Sequence, residues 1–283
     1  MLIGAHVSAS GGLYNAVSNG EEIGAQCIQI FVGSPRTWKT PTLGEKVLSR
    51  YREALANSEV VQDAVVHASY LINLGSSDPD LFERSKDLLI STVDVACAIE
   101  AYGVVLHLGS HKGHGLDAVE AQLADVFEEV GERLPRSSRT KLLLENTAGA
   151  GGTIGGSLEE VERILQLGAK RARVGLCIDT QHIFAYGYDL RNPEDRGRTI
   201  DKLSRFLDAV DCVHLNDSKS KCGGLHDRHE NLGEGEIGED ALAAFLGASI
   251  FANSLVFLEV PGDGSGPRSS DVEAAKRLLT ASG

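Results

Sequence analysis

A (β/α)8 barrel occupying residues 1–283 as a single domain is the fold this sequence predicts, and three observations predict it. Short apolar runs rich in Val, Ile and Leu alternate with longer segments of helical periodicity, the pattern of βα units around a parallel sheet. Eight such runs occur, near residues 2–6, 26–32, 64–67, 104–107, 141–145, 174–179, 212–215 and 255–259. The length of 283 residues suits a TIM barrel of about 250 residues better than an open doubly wound sheet with a second domain. No Pro- or Ser-rich linker divides the chain.

A helix-like stretch follows each run. The clearest spans 80–102, where Leu81, Ser85, Leu88, Leu89, Val93, Ala96 and Cys97 form a mostly apolar stripe and Gly103 is placed to end it. The last, 270–280, carries Val272, Ala275, Leu278 and Leu279. A glycine-rich segment at 149–156 follows the fifth run. It lacks the acidic residue that a dinucleotide site needs further on, and reads as a flexible loop. Cys27, Cys177 and Cys212 sit inside apolar runs as small core residues, and Cys222 has no partner at ligand spacing, so neither disulfides nor a zinc knuckle are expected. No run approaches the ~18 apolar residues of a membrane helix, and the N-terminus lacks the basic-then-apolar order of a secretory signal. The expected location is the cytoplasm.

The chemistry concentrates where the strands end. His67, His107, Glu145, Asp179, His214 and Glu259 each stand at or just past the C-terminal end of a different apolar run. In a barrel those ends converge on the mouth that carries catalytic groups. Two loops add His182, three residues after Asp179, and the alternating pair Asp227 and His229. Four carboxylates and five imidazoles in one mouth require cations, because unpaired buried charge is costly. Imidazole with carboxylate oxygen and no thiolate points to zinc or another borderline ion in open, catalytic sites. Nine ligands suffice for two or three ions if a carboxylate such as Glu145 bridges a pair about 3.5–4 Å apart. His6, without a spaced partner, reads as a hydrogen-bonded barrel residue, and His111 and His114 as solvent-facing. His226 stands beside Asp227 but out of alternation.

The chain resembles the endonuclease IV family of apurinic/apyrimidinic endonucleases over essentially its full length. The matching stretches are Gly4-Ala5-His6-Val7-Ser8, His67-Ala68-Ser69-Tyr70-Leu71-Ile72-Asn73-Leu74, Leu143-Leu144-Glu145-Asn146-Thr147-Ala148-Gly149, Cys177-Ile178-Asp179-Thr180-Gln181-His182, His214-Leu215-Asn216-Asp217-Ser218 and Asp227-Arg228-His229. The resemblance implies a trinuclear zinc site, with manganese as an alternative at one position. His67 and His107 would hold the first ion. Glu145 would bridge to a second completed by Asp179, His214 and Glu259, and His182, Asp227 and His229 would hold the third. It further implies that Glu145, Asp179 and Glu259 serve catalysis, and that a monomer nicks duplex DNA 5′ to abasic sites during base excision repair. The products would be a 3′-hydroxyl and a 5′-deoxyribose phosphate.

By the same resemblance Arg36 enters the base stack and Tyr70 faces the DNA, while the abasic nucleotide turns out into the pocket. Lys219, Lys221 and Arg228 are further candidates for phosphate contact. Two residues depart from the family pattern: Leu108 stands where proline is usual, and Ala68 where an acidic residue is common. The net charge of −13 opposes binding to phosphate, an opposition that bound divalent cations reduce. Two other readings compete. A sugar isomerase or epimerase on a xylose-isomerase-like barrel would leave His182, Asp227 and His229 without a task, and would bind fewer ions. In a non-catalytic, metal-stabilised binding protein, Glu145→Gln would change stability or DNA affinity but no reaction.

Overall fold

The computed structural model describes residues 1–280. Eight parallel strands close into a barrel: β1 (Leu2–His6), β2 (Cys27–Ile30), β3 (Asp63–His67), β4 (Gly103–Leu106), β5 (Lys141–Glu145), β6 (Val174–Asp179), β7 (Cys212–His214) and β10 (Leu255–Leu258), with β10 pairing β1 to shut the ring. Two short strands, β8 (Asp217–Ser218) and β9 (His229–Glu230), form an antiparallel pair on the loop after β7. The helices α1 (Asn15–Glu22), α2 (Glu45–Asn57), α3 (Pro79–Ala98), α4 (Glu120–Arg133), α5 (Leu158–Ala169), α6 (Thr180–Tyr186), α7 (Pro193–Phe206), α8 (Glu239–Leu246) and α9 (Ser269–Thr280) follow their strands, two of them after β6. No described helix is long and apolar enough to cross a membrane.

Side chains alternate between the two faces of a strand, and this alternation builds the site. Val65, Val105, Leu143, Cys177, Cys212 and Phe257 form a buried apolar cluster inside the barrel, together with Cys27 and Leu255. Each of the first six lies two residues before a candidate ligand: His67, His107, Glu145, Asp179, His214 and Glu259. The ligands therefore share the inner face with an apolar floor beneath them. A larger cluster packs the helices against the outside of the sheet. Each of the five cysteines is free, and Cys27, Cys177 and Cys212 are buried as expected.

Two expectations need correction. The helix expected over 80–102 ends at Ala98, because Glu100 takes a left-handed φ of 60° and turns the chain. Gly103 does not end the helix; it opens β4, where an added Cβ would stand 2.7 Å from the Leu143 side chain. The segment 149–156 is not a flexible loop. Its backbone is tied to the loop after β4 through His111 N to Gly152 O (3.1 Å) and Ile154 N to Gly109 O (2.9 Å), and Ile154 is buried.

Candidate metal centre

The nine candidate ligands meet in one place. Glu145 is buried at the centre: Oε2 lies 3.4 Å from His67 Nε2 and 3.1 Å from His107 Nε2, while Oε1 lies 3.0 Å from His214 Nδ1 and 3.3 Å from His182 Nδ1. Asp179 Oδ2 is 3.8 Å from His214 Nδ1 and 3.6 Å from His229 Nε2, and Glu259 Oε2 is 3.2 Å from His214 Nδ1. Asp227, 62% exposed at the rim, places one oxygen 3.3 Å from His182 Nε2 and the other 3.3 Å from His229 Nε2. Ligand atoms within 4.8 Å of one another form the groups His67/His107/Glu145, Glu145/Asp179/His214/Glu259 and Asp179/His182/His229.

This donor set fits divalent cations. Glu145 Oε2, His182 Nε2 and His229 Nε2 are buried and have no hydrogen-bond partner, an arrangement that proteins rarely leave uncompensated. Burial works against the charge on Glu145, but His107, His214 and His182 hold its carboxyl well below the usual range. Burial likewise opposes charge on His182 and His214. Their carboxylate neighbours win and raise both imidazoles well above the ordinary value. The cluster thus favours positive charge at its centre, as protons on imidazole or as bound cations.

Outer contacts aim the rings. His67 Nδ1 donates to Ala68 O (2.7 Å), His182 Nδ1 to Asn146 O (3.0 Å) and His229 Nδ1 to Glu259 O (3.2 Å). Each contact turns Nε2 toward the carboxylates. The Ala68 departure therefore leaves His67 its acceptor, which is a backbone carbonyl. Asn216 joins two carboxylate positions: its Nδ2 donates to Asp179 Oδ2 (2.8 Å) and its Oδ1 accepts from Glu259 N (2.9 Å). Leu108 is buried, and its carbonyl accepts from Leu74 N (2.9 Å). Gly109 beside it takes φ 89° against Asn73, so the loop after β4 is pinned without proline.

The loop after β7 is organised by Asp217. Its buried carboxylate accepts from the backbone N–H groups of Ser218, Gly233, Gly235, Ile237 and Gly238 at 2.8–3.2 Å. Its neighbour Ser218 pairs with His229 across β8 and β9. A carboxylate satisfied by so many amides fixes where the loop returns to the mouth.

Around the cluster opens a cleft of about 1460 Å3 lined by His6, Phe31, Arg36, Tyr70 and Pro267 among others. Arg36 is exposed, and Tyr70, 56% exposed, meets Phe31 edge-on at 5.6 Å. Ser69 Oγ donates to Pro35 O (2.9 Å), joining the loops that carry Arg36 and Tyr70. Lys219, Lys221 and Arg228 do not line the cleft; Lys219 lies 3.7 Å from Glu230, and Arg228 donates to Asp227 O.

Among the remaining histidines, His114 and His226 are exposed and outside the metal groups. His111 is not simply solvent-facing: it is half-buried, and its Nδ1 accepts from Gly113 N and Gly115 N. His6 lines the cleft, 3.5 Å from Glu259 Oε1. Sequence reasoning passed over Gln29, a neutral amide inside an apolar run, which the fold buries beside His214 and Glu259.

Residues 17–281 match the family described as xylose isomerase-like TIM barrels. A protein from Haloarcula marismortui named probable endonuclease 4 is 35% identical over 278 residues, covering 98% of this chain and 98% of its own. Among solved structures, that of endonuclease IV from Thermus thermophilus superposes with a TM-score of 0.83 at 31% identity, over 100% of this chain and 98% of that one. A D-tagatose 3-epimerase-like protein superposes with a TM-score of 0.68 at 19% identity, over 99% and 97% of the two chains, a likeness of fold alone.

Proposed function

The chain belongs to the endonuclease IV family within the xylose isomerase-like TIM barrels, and from that premise we propose that it hydrolyses the phosphodiester on the 5′ side of abasic sites in duplex DNA. The products are a 3′-hydroxyl and a 5′-deoxyribose phosphate, and the reaction serves base excision repair in the cytoplasm by a monomeric enzyme. The observation that carries the reading is the convergence of nine carboxylates and imidazoles on one mouth, with Glu145 Oε2, His182 Nε2 and His229 Nε2 buried and unpartnered.

Three zinc ions suit this donor set, with manganese as an alternative at one position. His67, His107 and Glu145 would hold the first; Glu145, Asp179, His214 and Glu259 the second; His182, Asp227 and His229 the third. Bound zinc supplies Lewis acidity, lowering the pKa of an attacking water toward neutrality and offsetting charge on the phosphate oxygens. The residues do the rest. Glu145, Asp179 and Glu259 keep the mouth anionic enough to retain cations and orient the histidines around them. Arg36 and Tyr70 stand on joined loops at the cleft wall, where one enters the stack and the other faces the DNA beside the flipped, baseless nucleotide.

The cleft exceeds the roughly 300–1,000 Å3 of small-molecule sites. Convergence of His182, Asp227 and His229 also gives a task to residues that a sugar isomerase would leave idle. Incision of a duplex carrying one abasic site, with wild-type and Glu145→Gln protein side by side, tests the proposal. A nick by the wild type alone supports it; absence of a nick from metal-loaded wild type refutes it.

A further inference from the structure

Six of the eight barrel strands have a candidate ligand at their C-terminal end or one residue past it; β1 and β2 do not. What β2 brings is Gln29, fully buried on the inner face, two residues after Cys27 of the apolar floor and in register with His6 and Val65. Its amide makes three contacts. Oε1 lies 2.8 Å from His214 Nε2, while Nε2 lies 2.7 Å from Glu259 Oε1 and 3.1 Å from His6 Nδ1.

These contacts form a circuit with one consistent set of roles. A carboxylate can only accept, so the amide nitrogen must face Glu259. The amide oxygen then faces His214, whose Nε2 must be the protonated nitrogen that donates to it. His214 Nδ1, which lies 3.0 Å from Glu145, 3.2 Å from Glu259 and 3.8 Å from Asp179, donates to a carboxylate in the metal-free chain and would present its lone pair to the cluster once a cation replaces that proton. The second amide hydrogen is directed at His6 Nδ1. His67, His182 and His229 are aimed by backbone carbonyls, whereas His214 depends on a side chain.

We infer that Gln29 is a positioning residue for the metal position formed by Glu145, Asp179, His214 and Glu259, setting the His214 tautomer and restraining Glu259 with one amide. The inference rests on the metal-binding reading above and extends it to a strand that contributes no ligand. Two distinct consequences follow from one bond network: ring orientation at His214 and rotamer choice at Glu259.

The test is zinc titration of the full-length, metal-stripped protein against a competing chelator, with cobalt(II) absorption spectra recorded in parallel. Gln29→Met keeps the length of the side chain and removes all three hydrogen bonds. Gln29→Glu keeps an acceptor for His214 but sets a second anion against Glu259. Both variants are expected to weaken one of the three zinc positions by about 10- to 100-fold, the usual effect of losing an outer contact to a ligand. The cobalt bands should shift as well, while thermal melting of the metal-free protein stays near that of the wild type. If wild type binds zinc and both variants match it in affinity and spectrum, the inference is wrong. A wild type that binds no zinc overturns the metal reading itself, which keeps the two failures separate. If Gln29→Met does not fold, Gln29→Glu decides the question alone.

Discussion

Oε2 of Glu145 stands 3.1 Å from Nε2 of His107 and has no hydrogen-bond partner. His67 Nε2 approaches the same oxygen at 3.4 Å, so two imidazole nitrogens converge on one buried anionic atom. On the proposed metal reading a cation between them would resolve the arrangement, and Glu145 would serve two such positions, since its other oxygen faces His214 and His182. Replacing Glu145 with Gln removes the charge and halves the acceptors. Incision is expected to fall by more than the ~100-fold that loss of an outer contact costs, with fewer ions retained per chain. Metal analysis and nicking rates on the same sample check both. Unchanged incision would remove Glu145 from the reaction, and altered DNA affinity with no reaction in either protein would favour the binding-protein reading.

Acid should strip the metal. Burial alone would lower the pKa of His182 and His214, but Asp179, Asp227 and Glu145 raise the first, and Glu145 and Glu259 the second, well above 6.5. Both imidazoles are therefore biased toward the protonated form in the metal-free chain. Zinc must displace those protons, so affinity rises with pH and falls as pH drops from about 8 to about 6. Calorimetry at about pH 7 in buffers of different ionisation enthalpy should show release of more than about one proton per chain. Zinc uptake with no proton release would contradict the assignment.

Asp217 is not a candidate ligand, yet it collects N–H groups from residues 233–238, just beyond the β9 strand that carries His229. Asp217→Asn keeps the shape and loses the charge. Hydrogen bonds to charged groups contribute about 1.5–3 kcal/mol each, and partial loss across this set should destabilise the fold by about 2–4 kcal/mol in urea unfolding. The position held by His182, Asp227 and His229 should lose its metal first. A variant of wild-type stability and full metal content would show the loop to be organised by other contacts.

Arg36 and Tyr70 are exposed on the cleft wall, so their truncation should spare the fold. Tyr70→Ala is expected to weaken binding to abasic duplex by the ~1–3 kcal/mol of a lost aromatic–base contact, and Arg36→Ala to weaken it as well. Fluorescence anisotropy with intact and abasic duplexes measures this. Equal losses on both duplexes would mean that these residues grip DNA without recognising damage.

With a net charge of −13, the chain has little spare positive surface for phosphate. On the proposed reading, bound cations and a few arginines would carry the contact, so the affinity for DNA should fall log-linearly with salt, with a slope set by the number of phosphates they neutralise. An affinity that is flat from low to moderate salt would argue against direct phosphate contact.

The convergence of the candidate ligands was legible because six of them stand at or just past the ends of apolar runs, and in the fold a strand's period of two sets them above the apolar floor. Each of the six ligand-type residues at the strand ends follows an apolar residue two places earlier, as with Val105 and His107 or Phe257 and Glu259. His182 was legible because Asp179 caps α6 and accepts from the His182 amide, which sets the two on one side of the first turn. Gln29 was not, since an amide between Ile28 and Ile30 resembles a stray polar residue until the barrel closes and brings His214 against it. The end of α3 was misplaced for a similar reason. Gly103 is explained by Leu143, distant in sequence, and not by its own helix. The order in 149–156 likewise comes from bonds to the loop after β4, a tertiary pairing that local composition does not encode.

The central claim is tested most directly by incubating the zinc-loaded protein, without added magnesium, with an end-labelled duplex bearing one tetrahydrofuran abasic analogue, and mapping both new ends. The analogue cannot undergo β-elimination. A nick on its 5′ side that leaves a 3′-hydroxyl, and is absent from the undamaged duplex, is the result this account predicts. An intact analogue strand from folded, zinc-loaded protein would contradict it and direct attention to the sugar isomerases that share the barrel.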